Sequence, residues 1–253
     1  MIRKENRRIS IQKLSILHKE LYGFDDPYLV ERVFQCLKFV IPYILQWRSI
    51  VVADFGCGDL RASNLIHSQL SKRHDITSFH CIDMFSVSEK NSEKFEIFNH
   101  DLNQINLKIP DNSVNLAYAL EVIEHLWNVD IFVSETHRIL KSQGIFLITT
   151  PNLAAWYNRV LFPLGILPIH YEVSFKNKYG RVYSCLGERS KAVGHIRLFT
   201  PFALSRLLED NGFEILTCKG LQFMFQGFPS ILDRAFTVFP SLSSMFMILA
   251  KKR

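Results

Sequence analysis

The 253-residue chain is 48% hydrophobic and carries 21 Phe, which excludes an intrinsically disordered protein and suits one large α/β domain with a sizeable core. Its net charge of +6 is modest and partly terminal, in Arg3, Lys4, Arg7 and Arg8 and in Lys251, Lys252 and Arg253, which read as solvated tails or as a contact for nucleic acid or anionic membrane. Five cysteines without a C-x-x-C pair, no apolar stretch behind the basic N-terminus and no run of 18 uncharged apolar residues argue against structural zinc, a secretory signal and a spanning helix. A cytoplasmic chain is expected.

Taken in chain order, residues 8–48 read mostly as helix. Short apolar runs bounded by turn residues then predict strands over 50–55, 78–84, 94–101, 114–120 and 144–151. Between them, residues 60–73 and 128–143 carry apolar side chains at three- and four-residue spacing, as helices do. This alternation predicts a parallel sheet with helices on both faces. Residues 153–193 are irregular and rich in aromatic and basic residues. "TPFALSRLLEDNGF" (200–213) reads as a capped helix ending at Gly212, followed by strands in "EILTCKGLQFM" and "SMFMILAKK".

The stretch "VVADFGCGDL" (51–60) is a strand-to-helix turn at the carboxyl end of the first strand, where open α/β sheets bind ligands. Gly56 and Gly58 let the backbone turn tightly and approach a ligand that a Cβ would exclude. Arg61 stands where a dinucleotide fingerprint needs its third glycine, and no Gly-Lys-Ser/Thr follows, so a nucleoside without a diphosphate is the expected ligand. Asp83 ends the second strand and can accept hydrogen bonds from both ribose hydroxyls. Asp101 ends the third, where a carboxylate or its backbone can meet an adenine amine. Either acid could instead cap a helix.

Together with "CIDMF", "NHDL", "IPDNSVNLAYALEVIEHL", "RILKSQGIFLITTPN" and "GHIRLFTPFALSRLLEDNGF", this turn resembles a class I S-adenosylmethionine-dependent methyltransferase with a type 11-like domain, over roughly residues 45 to 217. The resemblance implies a Rossmann-like, doubly wound seven-stranded sheet of order 3-2-1-4-5-7-6 with the last strand antiparallel. It divides one domain, 1–253, into an N-terminal helical cap (1–48), a cofactor-binding core (49–152), a lid insertion (153–193) and a C-terminal part of the core (194–253). It implies that the turn from Asp54 through Gly56 and Cys57 to Gly58 holds the methionine moiety of S-adenosylmethionine, Asp83 the ribose, and Asp101 with Leu102 the adenine. Met84 and Leu120 complete that set. Leu60 stands where many members have a third glycine, and Asn115 replaces a common Asp.

Methyl transfer needs a base only when the acceptor must lose a proton. Glu121, Glu124 and His125 follow the fourth strand; if a helix has begun by Glu121, they share one face. His195, in "GHIRLFT", is expected to return to them. His125, His195 and Glu121 are the candidate catalytic residues. The set Glu121, Glu124, His125 and His195 also resembles the metal-binding constellation of small-RNA 3′-end 2′-O-methyltransferases and of ubiquinone-pathway O-methyltransferases, so it could hold a divalent ion; a metal-free site is the reading preferred.

The acceptor should be recognised by 153–193. Trp156, Tyr157, Phe162 and Tyr171, with Lys176, Lys178, Arg181, Arg189, Lys191 and Arg197, would suit a large anionic acceptor such as a lipid-linked saccharide, or single-stranded RNA. A lid packed on the cofactor is the plainer alternative. The expected activity is O-methylation of a small molecule or a lipid-linked saccharide, against a metal-dependent RNA 2′-O-methyltransferase or a non-catalytic partner subunit. Residues 220–250 read as a buried connection between the last strands, or as an apolar surface for a membrane or partner.

Overall fold

The computed structural model describes residues 27–85, 93–222 and 228–253. Residues 8–26 of the expected helical cap, the basic cluster at residues 3–8, and Phe223 and Met224 at the end of an expected strand lie outside the described residues. The chain divides into two compact units, Met1–Asn99 and His100–Arg253.

In the first unit, helix α1 (Pro27–Ile44) buries Val30, Val33, Leu37, Val40 and Ile44, the stripe that three- and four-residue spacing places on one face. It packs on α2 (Arg61–Leu70). Strand β1 (Ser49–Phe55) pairs in parallel with β2 (Asp75–Asp83), and β2 with β3 (Glu96–Asn99). β3 is shorter than the sequence suggests. Its side chains are mostly exposed, so little apolar burial extends it.

In the second unit, β4 (Val114–Leu120) pairs in parallel with β5 (Leu140–Pro151). Between them runs α3 (Val129–Ile139), whose N-cap Asn128 accepts the Ile131 N–H at 3.2 Å. The helix expected to reach Gln143 stops at Ile139, because Leu140 is already extended and buried as the first residue of β5. The chain then makes a kink in β5, with Gln143 at φ 64° and a Gly144 whose Cβ would lie 2.8 Å from the Lys141 carbonyl. Helix α4 (Trp156–Leu161) lies at the start of the segment 153–193. Helix α5 (Pro201–Asp210) begins on Thr200, which accepts the Ala203 N–H, and is followed by Gly212 at φ 87°, as expected. β6 (Phe213–Leu221) and β7 (Met245–Lys252) close the unit, with β7 antiparallel to both β5 and β6.

The seven-stranded sheet has the order β3-β2-β1-β4-β5-β7-β6, the Rossmann-like order expected. A nine-residue helix, α6 (Phe228–Phe236), fills the connection before β7. The expected burial of that connection does not hold throughout, since Ile231, Val238 and Phe239 are exposed. No described helix is long and apolar enough to cross a membrane.

Lys252 departs from its reading as a solvated tail. It is 9% exposed, and its Nζ donates to the Asn112 side chain at 2.9 Å and to the carbonyls of His137 and Leu140 at 2.7 and 2.8 Å. A cation on the last carbonyls of α3 satisfies acceptors that the helix cannot. Lys252→Met should leave those acceptors unpaired and lower unfolding stability by ~1–3 kcal/mol. Urea denaturation reads this directly, and an unchanged midpoint would deny Lys252 that role.

Candidate active site

In the first unit, β1 and β2 are parallel, so Phe55 and Asp83 end at the same edge. Ile82 there accepts the N–H groups of Gly56 and Cys57 at 2.8 and 3.3 Å. The Asp83 carboxylate spans the turn, taking the Gly58 N–H at 2.8 Å on Oδ2 and the Phe85 N–H at 2.9 Å on Oδ1. Each oxygen keeps a lone pair for a further donor. Gly58 lies at φ 52°, and a Cβ built there meets nothing within 4 Å, so the backbone is open on that side.

The other turn residues face inward. Asp54 is 3% exposed and accepts the Ser63 hydroxyl at 2.6 Å, tying β1 to α2. Cys57 is buried against Cys81, whose thiol that contact and burial push well above its ordinary pKa. Leu60 adopts φ 66°, the left-handed conformation in which glycine is at ease, at a cost of ~1 kcal/mol for a side chain. It is 1% exposed, and burial offsets that strain. Met84 is exposed.

In the second unit, the Asp101 carboxylate accepts the Asn103 N–H at 2.9 Å and the Asn103 and Gln104 side-chain amides. The backbone bond from Asn103 leads in holding its pKa low. Asp101 therefore closes a local turn and caps no helix, and Leu102 is buried beside it. Asn103, which the sequence reading passed over, accepts the N–H groups of Trp127 and Asn128 at 2.7 and 3.0 Å. Leu120, half-buried, ends β4.

No helix begins at Glu121. That residue sits at φ 58° with its N–H on Thr149, and only a 3-10 turn, Ile123–His125, follows before α3. The shared helix face expected for Glu121, Glu124 and His125 is therefore absent. Glu124, His125 and His195 do meet, with one donor atom of each within 4.8 Å of the others, and Glu121 is not among them.

Main-chain carbonyls set the two imidazoles. His125 Nδ1 lies 3.0 Å from the Gly194 carbonyl and His195 Nδ1 3.0 Å from that of His170. A carbonyl only accepts, so each ring carries its proton on Nδ1 and presents Nε2 as a lone pair. The rings lie 4.9 Å apart. Burial lowers the His195 pKa against the bond to His170, which favours the neutral ring, and burial pushes His170 down to about 3. Glu124 is fully buried and accepts the Thr150 hydroxyl at 3.0 Å. Its carbonyl takes the N–H groups of Ile196 and Arg197 at 2.8 and 3.1 Å, fixing the segment that carries His195.

Glu172 completes this scaffold. Its carboxylate accepts the N–H groups of Val193, Gly194 and His195, at 2.8 Å for Gly194, and lies 3.5 Å from Lys178 Nζ. Burial works to raise its pKa, yet these donors hold it below the ordinary carboxylate value. Its stabilising effect is full above pH 4.5 and lost as pH falls below that. The only sequence signal for Glu172 is one acid amid cations.

Of the residues assigned to the acceptor, Arg181 is 2% exposed and donates to the carbonyls of Leu186 and Tyr171, so it braces the insertion from within. Tyr157 is also buried. Tyr171 is exposed, as are Trp127 and Phe175, whose ring centroids lie 5.7 Å apart. Arg197 donates to the Trp127 carbonyl at 2.9 Å.

Residues 30–218 match the family model described as a methyltransferase domain. A Mycolicibacterium smegmatis protein named "Probable S-adenosylmethionine-dependent methyltransferase/" is 48% identical over 50 residues, 20% of each chain. A similarly named Mycobacterium tuberculosis protein is 30% identical over 101 residues, 40% of this chain and 35% of its own. The chain thus spans about a third or less of the curated relatives it matches. In fold, it is similar to the crystal structure of an S-adenosylmethionine-dependent methyltransferase from Aquifex aeolicus, at a TM-score of 0.55 and 15% identity, covering 96% of this chain and 97% of the other.

Glu172→Ala should release the 193–195 backbone, lowering stability by ~1–3 kcal/mol and accelerating amide hydrogen exchange at those three residues. Exchange as slow as in the unaltered chain would show that something other than this carboxylate holds the segment.

Proposed function

The chain belongs to the methyltransferase domain family, and we propose that it moves the methyl group of S-adenosylmethionine to a hydroxyl of a small molecule or a saccharide, lipid-linked saccharides included. The observation that carries this reading is the pair of imidazoles, His125 and His195, each with Nδ1–H on a main-chain carbonyl and Nε2 left to accept a proton. A hydroxyl is the acceptor class that must shed one.

The residues of the glycine turn fit the cofactor. Gly58 leaves room for close backbone approach, and Asp83 retains acceptor capacity for the ribose hydroxyls. Asp101 and Leu102 are assigned to the adenine, Leu120 and Met84 to the surroundings of the bound group. When bound, S-adenosylmethionine supplies a methyl carbon made electrophilic by its sulfonium. The chain's own part is to hold the acceptor hydroxyl aligned and dry, and to receive its proton on Nε2 of His125 or His195. The depressed pKa of His195 keeps that nitrogen deprotonated at neutral pH. Trp127 and Phe175, exposed two residues beyond His125 and within the insertion, offer the flat apolar faces on which a sugar or other ring can lie.

The donor set favours a second reading of the same reaction. Glu124, His125 and His195 fit one divalent ion: two imidazoles with Nδ1–H on carbonyls are oriented as metal-bound histidines are, and a spread of 4.8 Å needs little closure. There they would hold an ion that polarises the acceptor oxygen and favours its deprotonation.

Two measurements test these assignments. Asp83→Ala should weaken calorimetric affinity for S-adenosylmethionine by ~2–3 kcal/mol while the fold is retained, and native-like affinity would remove Asp83 from the site. For the ion, turnover to S-adenosylhomocysteine should stop in excess chelator and return with Mg²⁺ or Mn²⁺ if Glu124, His125 and His195 hold one. Full turnover in chelator would leave the imidazoles as the proton acceptors.

A further inference from the structure

We propose that the surface built from α4, α6 and the turn that follows each docks on an anionic lipid bilayer. Six large apolar side chains are exposed here: Val160, Phe162 and Leu164 on α4 and its turn, and Ile231, Val238 and Phe239 on α6 and the residues just after it. Such side chains on one continuous surface mark an interaction site, whereas single ones do not.

Hydrogen bonds and a ring contact join the two segments that carry these side chains. The Trp156 ring stacks on Phe236 with centroids 5.7 Å apart, and its Nε1 donates to Asp233 at 3.2 Å. The Trp156 N–H meets the Leu242 carbonyl at 2.9 Å, and Arg159 Nη2 meets that of Ser241 at 3.1 Å. From the end of β5, the Asn152 amide donates to the carbonyls of Pro240 and Ser243. The six side chains are therefore held out from a braced platform and not from a loose loop.

Charge selects the occupant. Residues 153–164 and 228–242 contain three charged residues, Arg159, Asp233 and Arg234. Asp233 is fully buried, where it accepts from Ser244 and Trp156, while both arginines are exposed. Among the described residues of these two segments, the surface thus offers apolar side chains and cations with no exposed anion, on a chain of net charge +6. Lipid headgroups with negative charge above an apolar interior complement both features. A second copy is a poorer occupant, because a two-fold contact would bring the same arginines from both copies into one interface.

The inference does not depend on the methyl-transfer reading, and its test reads no turnover. The full chain is centrifuged with vesicles of phosphatidylcholine alone and with vesicles containing phosphatidylglycerol. Binding to the anionic vesicles should exceed the neutral ones by about tenfold and weaken, without vanishing, in high salt, because the apolar part is not screened. Leu164→Ser with Phe239→Ser should lose about tenfold of that binding, and Val238→Glu alone should lower it too, with thermal unfolding and S-adenosylmethionine affinity unchanged. Absence of sedimentation with anionic vesicles, or equal sedimentation of all the variants, would overturn the proposal. So would a concentration-dependent dimer, seen by light scattering and abolished by the same substitutions without any lipid binding.

Discussion

A fully buried carboxylate, Glu124, is the constraint around which the candidate active site is arranged. A charge removed from water must be met by donors or be neutralised. Thr150 on β5 meets one oxygen, while the residue's own carbonyl takes two N–H groups from the 196–197 backbone. A strand end, a single 3-10 turn and a segment about seventy residues further on are thereby locked together, and the lock brings His195 beside His125. Both imidazoles then obtain their tautomer from carbonyls of the same neighbourhood, Gly194 and His170. The arrangement serves a proton acceptor and a metal ligand equally well, because each needs a neutral imidazole with Nε2 presented.

Buried polar groups help to hold the 153–193 segment. Arg181 braces it by donating to two carbonyls while Glu188 takes its N–H at 2.7 Å, and Glu172 gathers three consecutive amides. Polar pinning of this kind leaves apolar side chains free to face outward, and many of them do: Phe175, Tyr179, Val182 and Tyr183 are all exposed. An acceptor-binding surface needs such unspent apolar area, and a segment whose shape rests on hydrogen bonds can carry it without collapsing onto the core.

The glycine turn shows how a departure from the family pattern is absorbed. Many members place glycine where this chain has Leu60, and the backbone there still requires a left-handed conformation. The side chain accepts that strain while burying itself at the head of α2. Gly58 differs, since it sits at φ 52° with open space beside it, so a side chain there would take on the same strain without gaining burial.

Local pattern by itself determined the strand-helix alternation, the glycine turn, the acids that end β2 and follow β3, and the capped helix from Thr200 to Gly212, because each is written in residues close together in the chain. The seven-strand order and the reversal of β7 were legible only through the resemblance that the ordered motifs carry. Tertiary structure decided the rest. Nothing near Glu121 announces that it stands outside the Glu124, His125 and His195 group, since that depends on a left-handed residue and on a partner segment far along the chain. Glu172, Asn103 and Lys252 looked like ordinary polar residues until long-range packing placed unsatisfied amides or carbonyls around them. Composition left the connection before β7 as either a buried link or an apolar surface, because it counts apolar residues without saying which face of a short helix meets the core. Tertiary packing seats that segment through Trp156 on Phe236 and Asn152 on the Pro240 carbonyl, partners about eighty residues away in the chain, while Ile231, Val238 and Phe239 stay in water.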